Sequence, residues 1–265
     1  VSTDLHDLLE LAIELTGRAG ELARRTRESA ITQVDTKSSS TDVVTAADKA
    51  AERLVVDGLR AARPGDAVLG EESGEVAGAG AVRWILDPID GTVNYLYGIP
   101  QYAVSLAAEV DGEVRLGVVR NPVSGEVYTA IRGEGAYADG VRLTGPRPTR
   151  LAQALVATGF AYDRQRRARQ ATVVAGLLPR VRDIRRFGAA ALDLCAVAEG
   201  RVDAYYERGI QPWDHAAGGL VAAEAGVRVA GLHGAPAGRE LVLAAAPDLF
   251  DTLHATLVEL GIEQV

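Results

Sequence analysis

Sulfur is almost missing from this chain: 265 residues hold one cysteine, Cys195, and no methionine. A lone cysteine excludes an intrachain disulfide and any cysteine-rich zinc site, and its expected role is that of a small buried apolar residue. Histidine is scarce too. His6, His215, His233 and His254 are scattered, with no H-x-x-x-H spacing for a metal. No G-x-S-x-G elbow is present to carry a nucleophilic serine. No run approaches eighteen apolar residues, and the opening VSTDLHDLLE has no basic segment leading into an apolar one. The expectation is a cytoplasmic protein without a membrane partner. Positive charge is in deficit, 28 Lys and Arg against 36 Asp and Glu, for a net charge of −8. That balance offers no bulk attraction to nucleic acid or anionic membrane. An anionic small substrate would need local positive charge, most simply metal ions.

Enough apolar residues remain, 48% of the chain, to bury a core in one large domain or two packed lobes. Leu5, Leu8, Leu9, Ala12, Leu15, Ala19, Leu22 and Ala23 recur at helical spacing and predict a long helix over 4–28. A polar loop, 35–42, precedes a second helix from Thr45 to about Ala62. Beyond Val68-Leu69 come GEES and a Gly/Ala-rich surface loop to Gly80. From Tyr102 to Val141, alternation punctuated by DG, SG and DG predicts a meander of antiparallel hairpins. GEGAYA at 133–138 lies inside it with no helix following, so it reads as a turn, not a dinucleotide loop. The second half alternates strands near 154–158, 183–187, 202–206, 227–230 and 241–245 with helices near 164–178, 189–199, 214–225 and 248–260. The fold class expected is a layered α/β chain with two sheets and helices between and outside them.

Acidic residues stand at four places where chemistry could lie. GEES supplies Glu71 and Glu72 after a short strand, which alone reads as a solvated loop. Thr45-x-x-Asp48 has the form of a capping box, and Asp214 in PWDHAAGG sits where an aspartate N-cap is ordinary. WILDPIDGT is different. Asp87 ends a buried apolar run, and a buried carboxylate is costly unless paired or coordinated. Asp87, the Ile89 carbonyl and Asp90 offer hard oxygen ligands within four residues. Gly91 and Thr92 then open a short helix toward Asn94, where free N–H groups suit phosphate. A metal nest beside an anion nest is what metal-assisted phosphoryl hydrolysis requires.

These stretches resemble the inositol monophosphatase family of Mg²⁺-dependent, lithium-sensitive phosphatases. DPIDGTVNYLYGIP is similar to its signature, GEES to its glutamate motif and WDHAAGGLVAAEAG to its C-terminal signature. KSSSTDVVTAAD (37–48) and GAAALDLCAVAEGRVDAYYE (188–207) agree, so the resemblance spans nearly the whole chain. It implies one domain over 1–265, an αβαβα sandwich with lobes of about 1–145 and 146–265, working as a homodimer. It implies that Glu71, Asp87 and the Ile89 carbonyl hold one Mg²⁺ and that Asp87, Asp90 and Asp214 hold a second. A weaker third ion would sit by Glu71. Thr92, supported by Asp48, would orient the attacking water, and Glu72 is counted with this catalytic group. Gly91 and Thr92 would bind phosphate. Gly188, Ala189 and Glu207, with Asp90 and Asp214, would face the hydroxyl-bearing ring of a phosphorylated polyol. Lys37 would lie by the metal loop.

Three departures from the family pattern stand out. Tyr95 replaces the usual phenylalanine, Ala189 a common serine or threonine, and Val227 a frequent glycine. The implied activity is hydrolysis of inositol monophosphate. Alternatives are a fructose-1,6-bisphosphatase, a 3′-phosphoadenosine phosphatase, a histidinol phosphatase, or a regulatory protein of RNA and transcription that keeps the fold. The basic runs DRQRRARQ (163–170) and RVRDIRR (180–186) bear on the last, but such runs ordinarily mark solvated helix faces.

Overall fold

The computed structural model describes residues 4–31, 34–36 and 43–265. Lys37 and the segment 37–42 lie outside the described residues. Helix α1 (Leu5–Ala30) is capped by Asp4, whose carboxylate accepts from the His6 N–H. Strands β1 (Val34–Thr36) and β2 (Val43–Thr45) form an antiparallel ribbon that leads into α2 (Ala46–Ala62). Next come β3 (Ala67–Gly70), β4 (Gly74–Val76), β5 (Val82–Asp90) and the short helix α3 (Thr92–Tyr97). The meander follows as β6 (Ala103–Val110), β7 (Glu113–Arg120), β8 (Val127–Ile131), β9 (Gly135–Ala138) and β10 (Val141–Arg142). Together they make an eight-stranded sheet of order β10-β9-β8-β7-β6-β5-β3-β4, antiparallel except where β3 runs parallel to β5.

The remaining chain gives β11 (Leu155–Thr158), α4 (Arg164–Leu177), β12 (Asp183–Arg185), α5 (Ala190–Ala198) and β13 (Ala204–Glu207). It ends with α6 (Pro212–Glu224), β14 (Arg228–Ala230), β15 (Val242–Ala245) and α7 (Pro247–Glu259). Its sheet has order β12-β11-β13-β15-β14.

Strand parity builds the layers. Trp84, Leu86, Val104, Leu106, Leu116 and Val118 pack with Leu8, Leu15, Val55 and Leu59 of α1 and α2. Their neighbours Ile85, Ala103, Ala107 and Val119 face the other way, onto α5 and α6. In the second sheet, Tyr205, Val242 and Ala244 face α5 and α6, while Ala204, Tyr206 and Leu243 face α4 and α7. Successive strand residues point to opposite faces, so each strand feeds two cores. Helix α5, AALDLCAVA, is buried at every position because it lies between two sheets, which is why it lacks a polar face. The result is the αβαβα sandwich. Each fully buried leucine or valine in these layers contributes roughly 1.5–3 kcal/mol.

The elements follow the predicted ones, with three local corrections. Asp35 and Thr36, expected in the polar loop, belong to β1 because they pair with β2. The expected surface loop before Gly80 contains the edge strand β4, whose GEV is too short and too polar to signal itself. The expected turn at Asp87–Asp90 is part of β5, with a register break between the two aspartates.

Candidate active site

That break decides where the carboxylates point. Asp87 pairs with Ser105 and Asp90 with Ala103, so three steps along β5 match two along β6. Without the extra residue, aspartates three apart would face opposite sides of the sheet. The bulge brings both to the side of α5 and α6. Pro88 within it has no N–H to donate, and the Asp87 carboxylate accepts the Ile89 N–H at 3.0 Å. Asp90 Oδ2 accepts from the Ala191 N–H at 2.7 Å, at the start of α5. Asp214 stands in the first turn of α6. One carboxylate oxygen each from Asp87, Asp90 and Asp214 lies within 4.8 Å of the others.

Glu71 joins them through sheet topology. β3 runs parallel beside β5, and the Glu71 N–H donates to the Leu86 carbonyl at 3.2 Å, so both strands deliver acids to one end of the sheet. Asp87 is 1% exposed and Asp90 7%. Burial, then the charges of Glu71, Asp90 and Asp214, push the Asp87 carboxyl well above its ordinary range. Burial and Asp214 do the same to Asp90, against the Ala191 hydrogen bond. The charges acting on Asp87 are all carboxylates, so the cluster calls for a cation from outside the chain. Its donors are hard oxygens, the set that suits a divalent ion such as Mg²⁺.

Asp48 performs two tasks at once. Its Oδ2 accepts from the Thr45 N–H at 2.8 Å and the Thr45 hydroxyl at 2.5 Å, completing the capping box of α2. Its Oδ1 faces the Thr92 hydroxyl at 3.2 Å, which also lies 3.1 Å from the Ile89 carbonyl. Gly91, the residue before α3, has φ 90°, a conformation that favours glycine. Asn94 donates to the carbonyls of Gln101 and Phe187 at 2.6 and 2.7 Å, tying α3 to the loop that carries Gly188.

In front of Thr92 lies a cavity of about 550 Å³ between the two sheets. Glu71, Asp87, Ile89, Asp90, Gly91 and Thr92 form one wall. Gly188, Ala189, Glu207 and Asp214 belong to its other sides. Burial holds the Glu207 carboxyl above its ordinary value although Tyr205 donates to it at 2.8 Å.

A family model described as "Inositol monophosphatase family" matches residues 4–261. This chain belongs to the inositol monophosphatase family. It is 52% identical over 235 residues to the inositol-1-monophosphatase of Mycobacterium leprae, covering 84% of this chain and 81% of that protein. The Nus factor SuhB of Escherichia coli is 39% identical over 224 residues, 84% of each chain. The crystal structure of the extragenic suppressor protein suhB from Bartonella henselae superposes with a TM-score of 0.89 at 35% identity, covering 95% of this chain and 98% of that one.

Most of the predicted site residues of this inositol monophosphatase family member line the cavity, while Glu72 and Asp48 lie outside its wall. Asp214 is not the N-cap of α6. Gln211 is, with Pro212 as the first helical residue, and Asp214 accepts the Gln211 N–H from three residues inside. Glu72 does not line the cavity, and its backbone N–H donates to Glu52 at 2.9 Å. Tyr95 keeps its ring in the core and sends its hydroxyl to the Ala23 carbonyl of α1 at 2.8 Å, so the added oxygen is satisfied. Sequence reasoning missed Glu52, Asp193 and the cavity arginines. Glu52 and Asp193 carried a usable signal. Glu52 lies one turn beyond Asp48 on the apolar stripe of α2, and Asp193 is the single charge in an apolar helix. Arg166 and Arg186 lay inside runs read as solvated faces, yet both line the cavity.

Proposed function

We propose that this protein is a Mg²⁺-dependent phosphomonoesterase that hydrolyses inositol monophosphate to inositol and phosphate. The Asp87–Asp90–Asp214 cluster, with Asp87 and Asp90 buried and Asp214 half-buried, faces the same cavity as the Asp48-supported Thr92 hydroxyl and carries this conclusion. Glu71, Asp87 and the Ile89 carbonyl would hold a first ion, and Asp87, Asp90 and Asp214 a second, with a weaker third by Glu71. Bound there, Mg²⁺ supplies positive charge against the phosphate oxygens and lowers the pKa of water.

The chain's own groups supply orientation. With its proton directed at Asp48 or the Ile89 carbonyl, the Thr92 hydroxyl offers a lone pair to a water and holds it toward phosphorus. The Gly91 and Thr92 N–H groups meet the phosphate. Glu207, Gly188 and Ala189, with Asp90 and Asp214, meet the ring, where Glu207 accepts hydrogen bonds from the ring hydroxyls and the Ala189 methyl makes only an apolar contact. No side chain need form a phosphoenzyme: Cys195 is fully buried and its thiol is pushed far from ionising. A homodimer in the cytoplasm completes the proposal, and light scattering tests the dimer.

A relative named as a Nus factor favours a second function, regulation through RNA-bound complexes. The complete acidic set favours catalysis. Phosphate release from inositol 1-phosphate, fructose 1,6-bisphosphate, a 3′-phosphonucleotide and histidinol phosphate, with and without Mg²⁺, decides between them. Mg²⁺-dependent release, fastest from inositol 1-phosphate, is expected. No release from any compound, together with salt-sensitive RNA binding, would establish the regulatory alternative.

A further inference from the structure

The arm that carries Glu71 is thin. Strands β3 and β4 run four and three residues, and Gly70 pairs with Gly74 across a turn of only Glu71, Glu72 and Ser73. β4 is the last strand of its sheet, and so short an edge hairpin is marginal by itself. A carboxylate offered to Mg²⁺ needs firmer support, because the ion demands near-ideal octahedral geometry and its ligands must be held to within about 0.5 Å. On one side the arm is tied to β5, where the Glu71 N–H donates to the Leu86 carbonyl at 3.2 Å. On the other it meets α2.

Glu52 makes that second contact. It is 3% exposed, on the stripe of α2 that also buries Ala51, Val55 and Leu59. Its Oε2 accepts the Glu72 N–H at 2.9 Å. Consecutive N–H groups of the turn thus reach in different directions, and the peptide joining Glu71 to Glu72 is held from both sides. Gly70 is the seat. A Cβ there would come within 2.5 Å of Glu52 Oε2 and 2.7 Å of its Cδ. Gly70 is not among the glycines of positive φ, so close approach, not backbone conformation, is what requires a glycine.

Helix α2 therefore presents two buried carboxyl groups one turn apart. Asp48 faces the Thr92 hydroxyl at 3.2 Å, and Glu52, about 6 Å further along the axis, holds the Glu71 arm. Glu71 in turn reaches Asp87 both as a charge and as a hydrogen-bond partner. Glu52 itself does not line the cavity. Packing alone does not call for it, since an apolar side chain would fill the stripe without the cost of burying a carboxyl group.

We infer that Glu52 is a positioning residue for the metal centre: by holding the Glu72 N–H it fixes the turn that aims Glu71 at Asp87, and so sets Mg²⁺ affinity without touching ion or substrate. This rests on the metal-dependent function proposed above and assigns that site one more residue.

The test titrates Mg²⁺ into each variant and reads two midpoints, that of the rise in melting temperature and that of turnover of inositol 1-phosphate. Glu52→Met keeps the volume and removes the acceptor. Both midpoints should move to at least about tenfold higher Mg²⁺, as happens when a group that orients a metal ligand is lost. Turnover at saturating Mg²⁺ should stay within about threefold of wild type. Glu52→Gln keeps an oxygen for the Glu72 N–H and should hold both midpoints within about threefold. Gly70→Ala, which pushes Glu52 off its seat, should shift them in the same direction as Glu52→Met. Val55→Ala, a core truncation on the same stripe, should lower the metal-free melting temperature and move neither midpoint. In a Glu71→Gln background, Glu52→Met should add less than about threefold, because the ligand it places is already gone. Should Glu52→Met fail to fold, Glu52→Asp, one methylene short of the Glu72 N–H, repeats the measurement with the same expectation. Unmoved midpoints in Glu52→Met, an equal shift in Glu52→Gln or Val55→Ala, or an undiminished one in Glu71→Gln would overturn the positioning role and leave the phosphatase function standing. A wild type whose melting temperature and turnover both ignore Mg²⁺ would overturn both.

Discussion

Helices α2 and α6 begin alike, with an aspartate in the first turn accepting the backbone N–H three residues before it, yet the two aspartates end in different chemistry. In Asp48, Oδ2 serves the Thr45 backbone and hydroxyl while Oδ1 faces Thr92, and the residue is wholly buried. In Asp214, one carboxylate caps Gln211 and also lies in the cluster with Asp87 and Asp90. The local motif is shared; what the carboxylate meets beyond its own helix differs. A cap aspartate facing a hydroxyl is a candidate positioning group, and one facing two further acids a candidate metal ligand.

Asp214→Asn should break this contrast most strongly. The amide oxygen can still cap Gln211, so the fold should hold, but the anionic ligand is lost. Turnover in saturating Mg²⁺ should fall roughly a thousandfold, corresponding to several kcal/mol of lost charge stabilisation. Metal-free melting temperature should stay level or rise as carboxylate repulsion is relieved.

Asp48→Asn should cost less. If the amide oxygen keeps the Thr45 contacts, its NH₂ faces Thr92, and the Thr92 proton must turn to the Ile89 carbonyl. Turnover should drop about a hundredfold through misplacement of the water. Stability should fall by about 1 kcal/mol. Urea unfolding and steady-state kinetics on the same preparation separate the two effects.

A smaller effect is expected from pH alone in the chelated protein. Asp87 and Asp90 bind protons more tightly folded than unfolded, because their folded pKa values are raised. Their contribution is complete below the ordinary value of 3.8 and is lost as pH rises through the folded values. Metal-free melting temperature should therefore decline with rising pH across that window, and Asp87→Asn should flatten the decline.

Thr45→Ala should give the smallest change. It removes one cap of α2, costing about 1 kcal/mol. Because the Thr45 N–H still holds Asp48, turnover should change by less than about threefold, whereas loss of Asp48 function would show as a much larger fall.

Much of this could be read before the structure. The spacing of Leu8, Leu15 and Ala19 marked α1, and the DG turns marked the meander, because both report local periodicity. The acidic stretches were visible too. What could not be read was orientation. Nothing in LDPID announces a bulge that turns Asp87 and Asp90 to one face, since a bulge depends on the partner strand. Arg166 was hidden for a similar reason: its place against Gly209 is made by the packing of distant segments. Glu72, unlike Glu71, is not among the cavity-lining residues, because adjacent residues on a chain leaving a strand point in different directions.

The most direct test of the metal centre is the melting temperature with and without Mg²⁺, for the wild-type protein and Asp87→Asn together. At about 100 times Kd, Mg²⁺ should stabilise the wild type by about 2.7 kcal/mol, a rise of roughly 5–10 °C. Asp87→Asn should fold and show almost no rise. An unchanged wild-type melting temperature, or an equal rise in both proteins, would contradict the assignment of these carboxylates as metal ligands.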